Sequence, residues 1–128
     1  PDGRLTYCNA GHNAPMLVAK DASVQRLEAG GMVLGLFDGV AFEEATVTLR
    51  RGDFLVVFSD GVSEALNVEG TEFGDERILE CVQASPRDIE PGELVTQVMT
   101  AVRDFTVGEP QGDDITVLVV RCRGEAQI

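Results

Sequence analysis

The stretch that decides the fold is Phe-Leu-Val-Val-Phe-Ser-Asp-Gly, residues 54–61 of a chain of 128 residues. Five consecutive apolar residues, rich in valine and phenylalanine, are typical of an internal β-strand that is covered on both faces. We predict that this strand stops at Ser59. Asp60 and Gly61 then lie at the edge of the sheet, so the strand places a carboxylate at that edge.

A second stretch has the same design in the opposite order. Asp113 and Asp114 directly precede Ile-Thr-Val-Leu-Val-Val, residues 115–120, which we predict to be a strand that is again apolar on both faces. If the two strands are antiparallel neighbours, the end of the first lies beside the start of the second. The carboxylates of Asp60 and Asp113 would then converge on one sheet edge.

Converging carboxylates repel each other unless a cation lies between them. Mg²⁺ and Mn²⁺ suit such a site because they prefer hard oxygen ligands and retain bound water. A water on such an ion is acidified into a nucleophile, and the ion offsets the charge of phosphate oxygens during in-line attack. A second interpretation stays open on spacing alone, because Asp-Gly after a strand is also typical of a turn.

The rest of the chain predicts strands before the apolar stretch and helices after it. Alternating and short apolar runs predict strands at 5–9, 16–19 and 24–27, arranged as an antiparallel meander. A further alternating run predicts a strand at 45–49. Residues 50–53 contain the tripeptide Arg-Gly-Asp, which we interpret as a hairpin turn between two strands.

Two helices are predicted between the acidic stretches. The first covers about 74–83, with Asp75 and Glu76 in its first turn. The second begins at Pro91, a residue suited to the first helical position, and carries an apolar stripe at helical spacing up to Phe105. We interpret that stripe as core. Strands followed by helices and a returning strand indicate an α+β domain with a mostly antiparallel sheet.

Composition narrows the classes of partner. Asp and Glu outnumber Lys and Arg by 22 to 10, giving a net charge of -12, which argues against binding to nucleic acid or to anionic membranes. Cys8, Cys81 and Cys122 are distant from one another and show no metal or disulfide spacing. No apolar run approaches the roughly 20 residues of a membrane span. We therefore expect a cytoplasmic chain with free thiols.

Several segments, taken in order, resemble one known family. The first is Asn-Ala-Gly-His, residues 9–12, within the run 5–15. Others are Gly-Leu at 35–36, Leu-Arg-Arg-Gly-Asp at 49–53, Phe-Ser-Asp-Gly-Val-Ser-Glu-Ala at 58–65, Phe-Gly-Asp-Glu-Arg at 73–77 and the run at 113–120. Together they resemble the stage-II-sporulation-E type phosphatases, a bacterial branch of the metal-dependent protein phosphatase (PPM) family. The resemblance covers nearly the whole chain.

The resemblance implies a β-sandwich flanked by helices and hydrolysis of phosphoserine or phosphothreonine with two Mn²⁺ or Mg²⁺ ions. It assigns Asp60 and Asp113 as metal ligands, with Asp114 and Gly61 supporting, and a metal-activated water as the nucleophile. It also implies a phosphorylated regulatory protein as partner, of the anti-anti-sigma type. It does not assign His12, whose flanking glycine and proline favour a constrained turn over a catalytic role.

The family's earlier aspartate motifs, which would precede Pro1, do not occur in residues 1–128. We therefore expect the chain to be the C-terminal part of such a domain, with little activity alone and an exposed sheet surface that could lead to a dimer. Two alternatives stay open: a phosphatase fold kept as a non-catalytic binding module, and an acidic domain of unrelated function.

Overall fold

A computed structural model describes residues 2–124. Within this range the elements follow one another as β1 (Arg4–Tyr7), β2 (Asn9–Ala10), β3 (Met16–Val18), β4 (Val24–Arg26), β5 (Gly30–Gly31), β6 (Ala45–Thr48), β7 (Phe54–Phe58), α1 (Asp60–Ser63), α2 (Gly74–Ala84), α3 (Pro91–Phe105) and β8 (Val117–Arg121). The predicted α+β order of strands, helices and a returning strand is confirmed. None of the described helices is long and apolar enough to cross a membrane.

The main sheet has the strand order β4-β3-β7-β8, and every neighbouring pair in it is antiparallel. In the last pair, Phe54 lies opposite Arg121 and Phe58 lies opposite Val117. The two apolar strands are therefore antiparallel neighbours, which is the condition for the two acidic stretches to converge. It follows that the end of β7 and the start of β8 meet at one edge of the sheet.

The core lies between one face of this sheet and the helices α2 and α3. Alternate residues of β7 are buried on that face, and Phe54, Val56 and Phe58 are each exposed by 2% or less. The helices contribute fully buried residues at helical spacing, namely Ile78, Val82, Leu94, Val98 and Val102. Each such side chain contributes about 1.5–3 kcal/mol by its removal from water. The stripe of α3 is thus largely core, as predicted.

The two long helices begin where the sequence predicts. Helix α2 begins at Gly74 and ends at Ala84, one residue beyond the prediction, and α3 has Pro91 at its start and Arg103 in its last turn. Cys81 on α2 is partly buried, and burial raises the pKa of its thiol. All three cysteines are free, as expected.

The predicted meander of the first three strands is wrong. Only β3 and β4 form the expected hairpin. Strand β1 instead pairs with the distant β6, and β2 pairs in parallel with β5, a two-residue strand of the glycine-rich stretch. Cys8 separates β1 from β2, so the single strand predicted at 5–9 is divided between two small sheets.

The predicted hairpin at 50–53 is also wrong, although a turn does lie there. It joins β6 to β7, which belong to different sheets. Asp53 is 5% exposed and closes the turn, because its carboxylate accepts hydrogen bonds from the backbone N–H of Arg50 (2.7 Å) and of Lys20 (3.2 Å). The aspartate of the Arg-Gly-Asp tripeptide is therefore buried and stabilises the turn through its hydrogen bonds.

The prediction that both apolar strands are covered on both faces is wrong for β8, on the face that points away from the helices; Leu55 and Val57 of β7 are partly buried on that face. Leu118 and Val120 of β8 are 54% and 42% exposed, and β8 is the edge strand of the described sheet. A second exposed apolar segment follows β5 and comprises Met32, Val33, Leu34, Leu36 and Phe37. The pattern of apolar residues identifies the strands but not which layers cover them.

Candidate metal and phosphate site

The junction of β7 and β8 continues beyond the strands through Ser59. Its backbone N–H donates to the Thr116 carbonyl oxygen (3.0 Å), and the Thr116 N–H donates to Ser59 Oγ (2.9 Å). Ser59 Oγ also donates to the carbonyl oxygen of Asp114 (3.0 Å). Ser59 therefore holds the loop that carries Asp113 and Asp114 against the end of β7.

Asp60 is the first residue of α1, a single helical turn, rather than the last residue of the strand. Ser59 has an extended backbone at the N-terminal boundary of this turn, so the chain changes direction between the two residues. Val62 is fully buried and anchors the turn to the core. Asp60 itself is exposed, and its carboxylate lies at the edge predicted from sequence.

Gly61 is buried and lies directly on the backbone of the facing loop. A Cβ atom at this position would lie 2.0 Å from the carbonyl oxygen of Asp114 and 3.2 Å from that of Asp113. The absence of a side chain at Gly61 therefore allows the backbone of α1 to approach this loop closely. The neighbour is the polypeptide of the loop that carries Asp113 and Asp114.

Asp113 and Asp114 lie in an exposed loop before β8. One carboxylate oxygen of Asp113 accepts a hydrogen bond from the Asp114 N–H (2.7 Å). The Asp113 carbonyl oxygen accepts one from the side-chain amide of Gln111 (2.8 Å). These two hydrogen bonds fix the backbone conformation of the loop around Asp113. β8 begins only at Val117, two residues later than the start predicted at 115.

The donors brought to this edge fit part of a divalent metal site. Mg²⁺ is commonly held by one or two carboxylates and several waters, so the exposed carboxylates of Asp60 and Asp113 are the right type of ligand. Within residues 2–124, however, no three side chains of the types His, Cys, Asp and Glu come together as a metal-binding group. A site with more protein ligands would need carboxylates from outside these residues.

A cleft of about 660 Å³ opens beside Asp113 and Gly61. Its floor is apolar, and its rim carries charged side chains, including Glu64, Arg103 and Glu109. The cleft lies between the C-terminal part of α3 and the residues that follow α1, and its volume is typical of a site for a small ligand or a peptide side chain. Sequence analysis missed this cleft.

The floor of the cleft consists of apolar residues to which the sequence analysis assigned no functional role, namely Ala65, Leu66, Met99, Val102 and Ile115. One signal was available. Met99 belongs to the α3 stripe but is only half-buried, and Arg103 lies four residues later on the same helical face. An apolar stripe that ends in a charged residue is consistent with a helix that lines the rim of a cleft.

The turn around His12 has a structural explanation. The side chain of Asn9 accepts a hydrogen bond from the His12 N–H (2.8 Å) and donates one to the Leu27 carbonyl (3.2 Å). Gly11 has a φ of 90°, a value that favours glycine, and a Cβ there would lie 2.5 Å from a Val33 methyl. The predicted constrained turn is confirmed, and it packs against the exposed apolar segment after β5.

Comparison with known proteins identifies the family. The family model described as Stage II sporulation protein E (SpoIIE) matches residues 1–123. The chain is 30% identical over 122 residues to the phosphoserine phosphatase RsbU of Bacillus subtilis, covering 92% of this chain and 35% of RsbU. The chain thus spans about a third of the length of that relative.

Two solved structures of SpoIIE from Bacillus subtilis share the fold. One contains the PP2C phosphatase domain with a fragment of the regulatory domain, and it matches with a TM-score of 0.75 at 24% identity over 94% of this chain and 34% of its own. The other is the phosphatase domain presoaked with Mn, with a TM-score of 0.74 at 22% identity over 99% of this chain and 54% of its own.

The α+β architecture therefore corresponds to a part of the PP2C fold. The family model covers residues 1–123, which is nearly every residue of the chain. The chain belongs to the SpoIIE-type family of PPM phosphatase domains.

Proposed function

We propose that this chain is the C-terminal part of a Mn²⁺- or Mg²⁺-dependent phosphatase domain that hydrolyses phosphoserine or phosphothreonine on a regulatory protein. The observation that carries the proposal is the junction of β7 and β8, where Ser59 Oγ donates to the Asp114 carbonyl and Gly61 contacts the same peptide. This junction holds the segments of Asp60 and Asp113 together, and family membership supplies the reaction class.

Asp60 and Asp113 are proposed as metal ligands, and Asp114 and Gly61 as the residues that support them. A bound divalent cation supplies an acidified water and neutralises negative charge on the phosphate. The Asp60 carboxylate is positioned by the buried turn of α1. The Asp113 carboxylate is oriented by its hydrogen bond from the Asp114 N–H. Gly61 sets the spacing between the two segments, because any larger residue would separate them.

The partner is proposed to be a phosphorylated regulatory protein of the anti-anti-sigma type, which rests on family resemblance. The cleft beside Asp113 supports a protein substrate, since its apolar floor suits a side chain that neighbours the phosphorylated residue. We further propose that residues 1–128 alone have little activity, because the carboxylates gathered within residues 2–124 do not complete a multidentate metal site.

The test is Mn²⁺-dependent hydrolysis of a phosphoserine peptide by the intact protein that carries this chain. Asp60→Asn and Asp113→Asn are compared with Asp104→Asn, which makes the same change on the exposed surface of α3. We expect the first two variants to lose about 100-fold or more in kcat/KM, since changes to groups that merely orient metal ligands already cost 10–100-fold. Asp104→Asn should retain activity.

Three outcomes would count against the proposal in different ways. Full activity in Asp60→Asn would mean that Asp60 is not a required ligand. Activity without added metal in the presence of a chelator would contradict the metal mechanism. A folded wild-type protein that binds Mn²⁺ but does not hydrolyse the peptide would favour the alternative, a phosphatase fold used as a binding module.

A further inference from the structure

Positively charged side chains gather at the end of the main sheet opposite the acidic edge. Arg51, Arg121 and Arg123 line one pocket of about 210 Å³ together with Glu90 and Cys122. Arg121 lies opposite Phe54, at the beginning of β7, whereas Asp60 follows its end. The length of β7 separates the two ends by about 13 Å, at roughly 3.3 Å per residue.

The turn at 50–53 brings a fourth cation to the same place. A Cβ built on Gly52 would lie 3.5 Å from Cδ of Lys20, so the Lys20 side chain runs along the turn. A Cβ on Gly124 would lie 3.4 Å from Cδ of Arg51, so Arg51 lies against the segment that follows β8. We call Lys20, Arg51, Arg121 and Arg123 the arginine end.

The nearby carboxylates neutralise this cluster only in part. Glu90 accepts from Arg121 (3.4 Å) and from Arg123 (2.7 Å), so one carboxylate serves two guanidinium groups. Asp53 is turned inward to the backbone of the turn. Arg51 forms no ion pair within the described range, and the Arg123 side chain remains 72% exposed. Among the residues that the structure describes, Arg51 and Arg123 therefore present exposed positive charge that Glu90 neutralises only in part.

This local positive charge contrasts with the strongly acidic composition of the chain as a whole. Four of its ten Lys and Arg residues lie in this one cluster, while the net charge is -12. Guanidinium groups bind carboxylates through paired, charge-assisted hydrogen bonds, and the exposed fork of Arg123 is free to do so beyond Glu90. A ligand that fits must be anionic and small enough to avoid the acidic surface elsewhere.

We propose that the arginine end is a docking surface for an acidic segment, rich in Asp and Glu, of a protein partner. A short acidic peptide can pair with the exposed Lys20, Arg51 and Arg123 without touching the rest of the molecule, while the mostly buried Arg121 adds positive charge beneath them. A long polyanion such as duplex DNA would bring phosphates close to the acidic remainder of the surface, where repulsion opposes binding. The docking surface is separate from the edge that holds Asp60, so it does not depend on the proposed catalytic function.

The experiment measures fluorescence anisotropy of a labelled peptide of alternating Glu and Ser, titrated with the intact protein at low ionic strength. The matched probes are a peptide of alternating Lys and Ser and a short DNA duplex. We expect the Glu-Ser peptide to bind, to bind more tightly than either matched probe, and to weaken as salt rises, because exposed charges are screened. Asp60→Asn should bind the peptide like the wild type.

The double variant Arg51→Glu with Arg123→Glu is expected to lower the affinity by at least about tenfold, since it replaces attraction by repulsion at the surface. The control is Arg103→Glu, which makes the same type of charge reversal on α3 next to the other edge. The proposal would be overturned if the double variant retained its affinity for the Glu-Ser peptide, or if the control variant lost as much affinity as the double variant. It would also be overturned if the wild type bound the Lys-Ser peptide or DNA more tightly than the Glu-Ser peptide, or did not bind the Glu-Ser peptide at all. Because the comparison of probes uses the wild-type protein, it decides the question even if the double variant does not fold.

Discussion

Replacing Gly61 by alanine places a methyl group against the loop that carries Asp113 and Asp114. The new Cβ would lie 2.0 Å from the Asp114 carbonyl oxygen and 2.7 Å from its carbonyl carbon. Both neighbours are backbone atoms, which cannot rotate away as a side chain can. The loop must therefore move by about 1.5 Å before the contact reaches an ordinary separation of roughly 3.5 Å.

Two terms set the size of the effect. Forcing an extra methyl group into a packed site costs about 1–3 kcal/mol. Moving the loop also strains the hydrogen bonds at Ser59, from Oγ to Asp114 and from the Thr116 N–H to Oγ, each contributing about 1 kcal/mol. The better helix propensity of alanine returns at most about 1 kcal/mol. We expect the free energy of unfolding to fall by about 2–4 kcal/mol.

The assay is urea denaturation of the wild-type protein, of Gly61→Ala and of Gly92→Ala. Gly92 is a suitable control because it also lies in a helix but has no atom within 4 Å of a built Cβ. We expect Gly92→Ala to be neutral or to stabilise by up to about 1 kcal/mol. A loss below about 0.5 kcal/mol in Gly61→Ala would refute the reasoning, because it would mean that the loop moves away without cost.

Three further substitutions test other parts of the structure. Ser59→Ala should lower the free energy of unfolding by about 1–2 kcal/mol in the same urea denaturation assay, since it removes a hydroxyl group that both donates and accepts a hydrogen bond at the junction. Ser63→Ala is the control and should change the free energy of unfolding little, because the Ser63 hydroxyl forms one hydrogen bond, which is long at 3.5 Å. Asp53→Ala should lower the free energy of unfolding by about 2 kcal/mol in thermal melts, because it leaves the partly buried backbone N–H groups of Arg50 and Lys20 unpaired. An equal loss in Asp38→Ala, a change at an exposed aspartate, would contradict this. Because burial raises the pKa of the Cys81 thiol, this thiol ionises in the unfolded chain before it does in the folded chain as pH rises above about 8.5. The free energy of unfolding should therefore fall with pH in that range. Cys81→Ser should make this fall less steep in thermal melts recorded at several pH values.

The sequence was informative where the signal is local. The apolar run of β7 and the stripe of α3 are continuous in the chain, and both elements lie where they were predicted. The sequence left the antiparallel pairing of β7 with β8 as a condition for the convergence of the aspartates, and the structure meets that condition. The role of Asp60 and Asp113 as metal ligands stays a prediction, because it depends on groups beyond strand geometry.

The failures concern which distant segments meet. Thr6 of β1 faces Thr46 of β6, forty residues away in sequence, with a hydrogen bond of 2.9 Å between their hydroxyl groups. No local pattern of β1 favours this partner over β3, which is nearer in the chain. For the same reason the sequence did not predict the arginine end, since its members come from three separate segments. Leu118 shows a third limit, because an apolar residue on a strand does not reveal whether a layer covers it.

The hydrogen bond between Ser59 and Asp114 joins residues 55 positions apart, with two long helices between them. Such a contact forms only after the chain has closed a long loop, and closing that loop costs conformational entropy before any bond compensates for it. Folds dominated by such contacts reach the native state slowly. We therefore expect the acidic edge to be among the last parts of the molecule to become ordered after synthesis, so that a nascent chain lacks its paired aspartates until β8 has joined the sheet.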